Sequence, residues 1–170
     1  MSAQTSARGY LWVAWLFAIL LPVQFYFAAG GAMSGSLGYA PHQYLGLGLH
    51  ALSAVLIVIA LVGRLPRRAL ELSVLQFILI SLQLGLARLA FPKSFIDLEP
   101  QFVRDLSHGI MQPIHDAMGN GAGIVAALHG LNALAIVAVA VLTIRFARGL
   151  SKQSVWMGSS SREAVSSGRK

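Results

Sequence analysis

Four stretches of the chain, 9–29, 45–63, 69–91 and 121–144, are nearly unbroken runs of apolar residues. A helix needs about 20 such residues to cross the hydrocarbon core of a bilayer. The pattern therefore predicts four spanning helices. Between them lie a Gly-rich connection (30–44), a tight basic turn around Pro66 and a longer segment (92–120), and the chain closes on a basic, Ser-rich tail (149–170). Short connections make antiparallel neighbours, so the expectation is an all-α, polytopic four-helix bundle. The tail carries too little apolar surface to fold and reads as disordered.

Composition strengthens this reading. The chain is 56% hydrophobic and 11% charged, whereas soluble domains carry roughly 25% charged residues. It lacks the polar surface to face water on all sides. With no cysteine in its 170 residues, disulfides, thiolate metal sites, iron–sulfur clusters and cysteine nucleophiles are excluded. The net charge of +7 raises nucleic acid as a partner, but the positions of the charges argue against it. Arg8, Arg64, Arg67, Arg68, Arg145, Arg148, Lys152, Arg162, Arg169 and Lys170 all fall at one end of the predicted bundle, leaving Arg88, Lys93 and Arg104 for the other. That asymmetry places both termini in the cytoplasm and the chain in the cell membrane, with the bilayer as its first partner. A secretory signal is the rival reading of the N-terminus, which runs into "FAAGGA". Its apolar run exceeds the 7–15 residues of a signal core, so it reads as a retained first helix.

The two halves of the chain resemble each other. Leu49-His50-Ala51-Leu52-Ser53-Ala54 in the second span matches Leu128-His129-Gly130-Leu131-Asn132-Ala133 in the fourth. Gln24-Phe25-Tyr26-Phe27-Ala28 in the first matches Gln83-Leu84-Gly85-Leu86-Ala87 in the third. Each half is then a helical hairpin with one Gln and one His, in two parallel pseudo-repeats related by an axis along the membrane normal. Counting from the nearest basic residue at ~1.5 Å per residue puts all four side chains about 21–24 Å from the cytoplasmic arginines. The sequence thus predicts one polar layer at a single depth. Such groups in hydrocarbon need partners, and simple packing glue between helices is one reading of them.

Two depth-matched histidines on helices two and four offer a sharper reading: His50 and His129 as axial ligands of a b-type haem serving electron transfer, with an unidentified redox partner. Gln24 and Gln83 would flank the macrocycle or a quinone, and Arg88, near the outer edge, would meet a propionate, with Lys93, Arg104 or His42 also in reach. Two other readings stand beside it. One is a permease-like or quinone-binding subunit using the same layer without haem; the other is a structural, partner-binding membrane protein. His42, His108 and His115, with Asp105 and Asp116, form a further candidate site for zinc or copper, though they also suit a solvated loop. "GAMSGSLG" and "GNGAG" lack the lysine of a phosphate loop. No paired carboxylates occur within the spans, which argues against a carboxylate-driven pump.

The placement of His50 and His129 resembles one half of haem A synthase, a family whose four-helix halves carry ligand histidines on their second and fourth helices. The stretches "VQFYFAAGGAM", "LHALSAVLIVIALVGR" and "AALHGLNALAIVAVAVL" resemble an uncharacterised four-helix membrane family common in actinobacteria. The first resemblance implies haem ligation; the second implies the fold.

Overall fold

The computed structural model describes residues 3–34, 39–90, 109–110, 113–114, 116–117 and 119–167. Four long helices dominate them: α1 (Ala3–Ser34), α2 (Ala40–Val62), α3 (Arg67–Ala90) and α4 (Ala122–Ser167), the last entered through a 3-10 turn at Gly119–Gly121. Each contains a segment long and apolar enough to cross a membrane. The helices form a ring in which each packs on its two neighbours, in the order α1, α2, α3, α4 and back to α1. The expected all-α bundle is therefore present, and α2 and α4 lie diagonally across it. One end, here the basic end, carries the start of α1 and the α2–α3 turn. The opposite, loop end carries the connections after α1 and α3.

The polarity of the bundle suits lipid. Trp12, Ile19, Val58, Leu61, Leu131 and Leu134 are exposed, whereas Ser53, Ser73, Gln76, Asn132 and Thr143 are buried. Apolar side chains outside and small polar ones inside match a bilayer, where every backbone and side-chain polar group must be satisfied within the protein. Thr143, Ser73 and Ser81 meet that demand locally, each donating to the carbonyl four residues earlier at 2.8–2.9 Å.

Two apolar clusters fill the basic end and the middle. Tyr10, Ala14, Leu56, Ala60, Ala69, Ile144 and Ala147 form the first. Phe17, Leu21, Leu49, Ile80, Ile136 and Ala140 form the second, towards the loop end. At the basic end, the Tyr10 hydroxyl bridges to α3, donating to the Ala69 carbonyl at 3.0 Å and lying 2.9 Å from Ser73 Oγ. The Arg148 guanidinium lies 4.7 Å from the centre of the Trp15 ring, joining α1 to α4.

The α2–α3 turn is a Schellman closure. Leu65 N–H donates to the Ala60 carbonyl at 3.0 Å, and Arg64 N–H to Leu61 at 3.1 Å. Arg64 takes the left-handed conformation (φ 49°) that such a turn usually gives to glycine. The glycine stands one residue earlier, at Gly63, because α1 passes there: a Cβ would lie 2.6 Å from both Ser6 Cβ and the Ile59 carbonyl oxygen.

Two boundaries differ from expectation. Helix α2 begins at Ala40, five residues before the predicted span, because Pro41 occupies its first turn, where a missing N–H is harmless. Helix α1 runs through Pro22. The ring of Pro22 helps shape a groove of about 380 Å³ against α4, lined by Ala18, Leu21, Phe25, Val137, Ala140 and Val141. Helix α4 continues to Ser167, through most of the stretch whose composition reads as a disordered tail.

Candidate functional site

The polar groups near the loop end form two clasps, each tying a glutamine of one helix to a histidine of the next. Between α1 and α2, His42 Nδ1 lies 3.1 Å from the main-chain carbonyl of Gln24. The Gln24 amide reaches back, donating from Nε2 to the His42 carbonyl at 2.9 Å, with His42 Nε2 at 3.5 Å. Between α3 and α4, His129 Nδ1 lies 3.2 Å from the main-chain carbonyl of Gln83. Gln83 Nε2 lies 3.0 Å from His129 Nε2. Here Asn132 adds a second tie, donating from Nδ2 to Gln83 Oε1 at 2.7 Å and to the Leu79 carbonyl at 2.8 Å.

These partners fix the tautomers. A carbonyl can only accept, so Nδ1 carries the proton in both His42 and His129. Their Nε2 atoms are left as bases, and in the second clasp Nε2 accepts from the Gln83 amide. His50 has the opposite arrangement. Its Nε2 lies 3.0 Å from Ser81 Oγ, and the single Ser81 hydroxyl proton is already given to the Phe77 carbonyl at 2.9 Å. With the Ser81 proton on that carbonyl, Nε2 of His50 is the donor to Oγ. Its ring also stacks on Phe77, with centroids 4.5 Å apart.

The helix geometry separates the expected pair. His50 rests on Ser81 and His129 on Gln83, two positions that differ by about 200° around the α3 axis. The two rings thus lie on opposite flanks of α3. Moreover, His50 lies eight residues along α2 from His42, about 12 Å towards the basic end. The histidine equivalent to His129, by its glutamine partner and its bonded nitrogen, is His42.

The matched glutamines do occupy equivalent places. A Cβ on Gly46 would lie 3.2 Å from Gln24 Nε2 and 3.9 Å from Leu84 Cδ2, so the first clasp abuts α3 beside Gln83. Arg88 lies in the last turn of α3, five residues beyond Gln83. His108, His115, Asp105, Lys93 and Arg104 fall outside the described residues. Among the described residues, no group of three or more histidines and carboxylates stands ready for a metal ion.

Two side-chain oxygens in the described bundle are buried without a hydrogen-bond partner: Gln24 Oε1 and Gln76 Oε1. Gln76 is buried at mid-bundle, its Nε2 3.4 Å from the Ile136 carbonyl. Neither Gln76 nor the role of Asn132 stands out in the sequence. The "Gln83…His129-x-x-Asn132" spacing becomes a signal only once α3 and α4 are known to face each other.

Residues 24–90 match the model of a family of unknown function (DUF6220). That match begins at Gln24, contains His42, His50 and Gln83, and stops before His129. No curated protein and no solved structure matches the chain.

Proposed function

We propose that this integral membrane protein holds a b-type haem between His42 and His129 and carries electrons through it. The observation behind this reading is the shared tautomer of the two imidazoles. An axial ligand must offer a neutral imidazole with one nitrogen free, and a hydrogen bond from the other nitrogen to a carbonyl is the usual means of fixing that state and the ring's orientation. His42 and His129, on the two diagonal helices of the ring, share the carbonyl-bonded Nδ1; the Nε2 of His42 has only a 3.5 Å contact, whereas that of His129 is held by the Gln83 amide. His50 is instead protonated on Nε2 and bonded there to Ser81. The donor set therefore fits haem with His42 in the role first read for His50. A bis-imidazole haem supplies a one-electron redox couple. The chain's part would be to present two Nε2 lone pairs, and the Gln83 amide would have to give up its bond to His129 Nε2. Arg88, one turn and a half beyond Gln83, is the cation nearest in sequence to the layer for a propionate. The basic end, on this reading, faces the cytoplasm, and the layer lies in the outer half of the cell membrane.

The absorption spectrum of the detergent-solubilised protein, expressed with ample haem, tests the assignment. A Soret band and a reducible α-band are expected. Both should disappear in His42→Ala and in His129→Ala and persist in His50→Ala. A parent protein without these bands, or a loss confined to His50→Ala, overturns it.

A further inference from the structure

The two clasps begin alike and are finished differently. In the second, the glutamine oxygen accepts an N–H from Asn132 at 2.7 Å; in the first, the equivalent oxygen, Gln24 Oε1, is buried and accepts nothing. The cause is a single position. Asn132 stands three residues after His129, and three residues after His42 stands Leu45, which has no donor. We propose that Gln24 Oε1 anchors a binding site for the hydroxyl of a lipid-soluble phenol or hydroquinone, whose O–H supplies the proton that Asn132 supplies in the other half.

The orientation of the amide is not arbitrary. Gln24 Nε2 donates to the His42 carbonyl at 2.9 Å; exchanging the two ends would set oxygen against oxygen. The open atom is therefore an acceptor. The nearest ring nitrogen, His42 Nε2, has only a 3.5 Å contact to the same amide. Because Nδ1 holds that ring's proton, Nε2 is a second acceptor. These two open atoms are both acceptors, so a hydrogen-bond donor suits them. An amide oxygen left dry and unpaired carries an uncompensated desolvation cost, so filling this place is favourable.

The surroundings narrow the ligand further. The corner lies within the apolar spans of α1 and α2, which favours a molecule that partitions into lipid. Gly46 presents no side chain against the amide; a Cβ there would stand 3.2 Å from Gln24 Nε2. The Tyr39 and His42 rings meet edge to face, with centroids 6.4 Å apart, giving an aromatic wall. A phenolic hydroxyl is a stronger hydrogen-bond donor than an aliphatic one and brings a ring to that wall. The anchor of this site is Gln24 Oε1, so binding to the haem-free protein reads it apart from the haem.

Binding to the full-length, haem-free protein in detergent tests the proposal, with a decyl-substituted benzohydroquinone kept reduced as the probe and its dimethyl ether as the donor-free control. Saturable binding of the hydroquinone is expected, with the ether at least tenfold weaker. Leu45→Asn, which installs in the first half the donor of the second, should weaken hydroquinone binding at least tenfold. Gln24→Leu provides the second variant should Leu45→Asn fail to fold, and the same loss is expected. Absence of hydroquinone binding, equal binding of the ether, or full binding by a folded variant means that water or nothing fills the corner, and the proposal is then wrong. A missing Soret band with hydroquinone binding intact would instead count against the haem alone.

Discussion

The basic end and the loop end of the bundle solve the same problem, polar groups in an apolar setting, with different chemistry. At the basic end the interior polar groups are hydroxyls. Ser73 returns its proton to its own helix, and Tyr10 spends its proton on the same carbonyl. With their single protons spent on that carbonyl, these hydroxyls have no donor left over, and apolar clusters close around them. At the loop end the groups are amides and imidazoles, which reach across helices and carry more donors and acceptors than one partner can use. One imidazole nitrogen, His42 Nε2, and one amide oxygen, Gln24 Oε1, are held there with acceptor capacity to spare. The basic end is built to stay shut. The loop end leaves an acceptor open.

If the basic end and the middle are the rigid part, the largest effects on stability belong to them. Phe17 is 1% exposed at the centre of the second apolar cluster. Phe17→Ala should lower stability by about 3–5 kcal/mol, read from unfolding in mixed micelles. Gly63→Val comes next. Its Cβ would lie 2.6 Å from the Ile59 carbonyl oxygen, a backbone atom with little freedom to move, and equally close to Ser6. A loss of roughly 1–3 kcal/mol is expected from overpacking. Unchanged unfolding midpoints for both variants would remove the contrast between the two ends.

A smaller change probes the loop end from within. Asn132→Leu gives the second clasp the residue type that the first already has. It leaves Gln83 Oε1 and one acceptor position on the Leu79 carbonyl without their donor. A loss of about 1–2 kcal/mol is expected, in line with buried hydrogen bonds between membrane helices. The more telling measurement is the ¹⁵N spectrum of the histidines. With Gln83 no longer steered by Asn132, the Nε2 signal of His129 should move towards that of His42. Should the two signals differ by as much as before, Asn132 does not set the contrast between the clasps.

The four helices were legible in the sequence because a spanning helix announces itself by length and apolarity alone. The polar layer was also legible at its glutamines, since Gln24 and Gln83 are uncommon letters in such runs. The histidine that clasps Gln24 was not legible in the sequence for two physical reasons. "APHQY" reads as loop because it contains a proline, yet Pro41 starts the helix, so His42 lies inside α2. In addition, "LHALSA" and "LHGLNA" match as letters, whereas the contacts follow helix facing. Gln24 and His42 are 18 residues apart and Gln83 and His129 are 46 apart. A difference in loop length of that size defeats an ungapped comparison of the two halves. The tautomers depend on which nitrogen meets which carbonyl, and no spacing encodes that.

Gln76 supplies the finest test, since it is a loop-end kind of residue buried among the apolar residues of the middle. Its Nε2 makes one long bond of 3.4 Å to the Ile136 carbonyl, and its Oε1 makes none. A half-satisfied amide contributes little, because the single bond is offset by the unpaired oxygen. Gln76→Leu, of similar size and fully apolar, should therefore change stability by no more than about 1 kcal/mol, and in the stabilising direction. The haem spectrum and hydroquinone binding should both be unaffected, since Gln76 lies seven residues from Gln83, about 10 Å along α3. A marked loss of either would place Gln76 within the reach of the site and extend the functional end of the bundle into its middle.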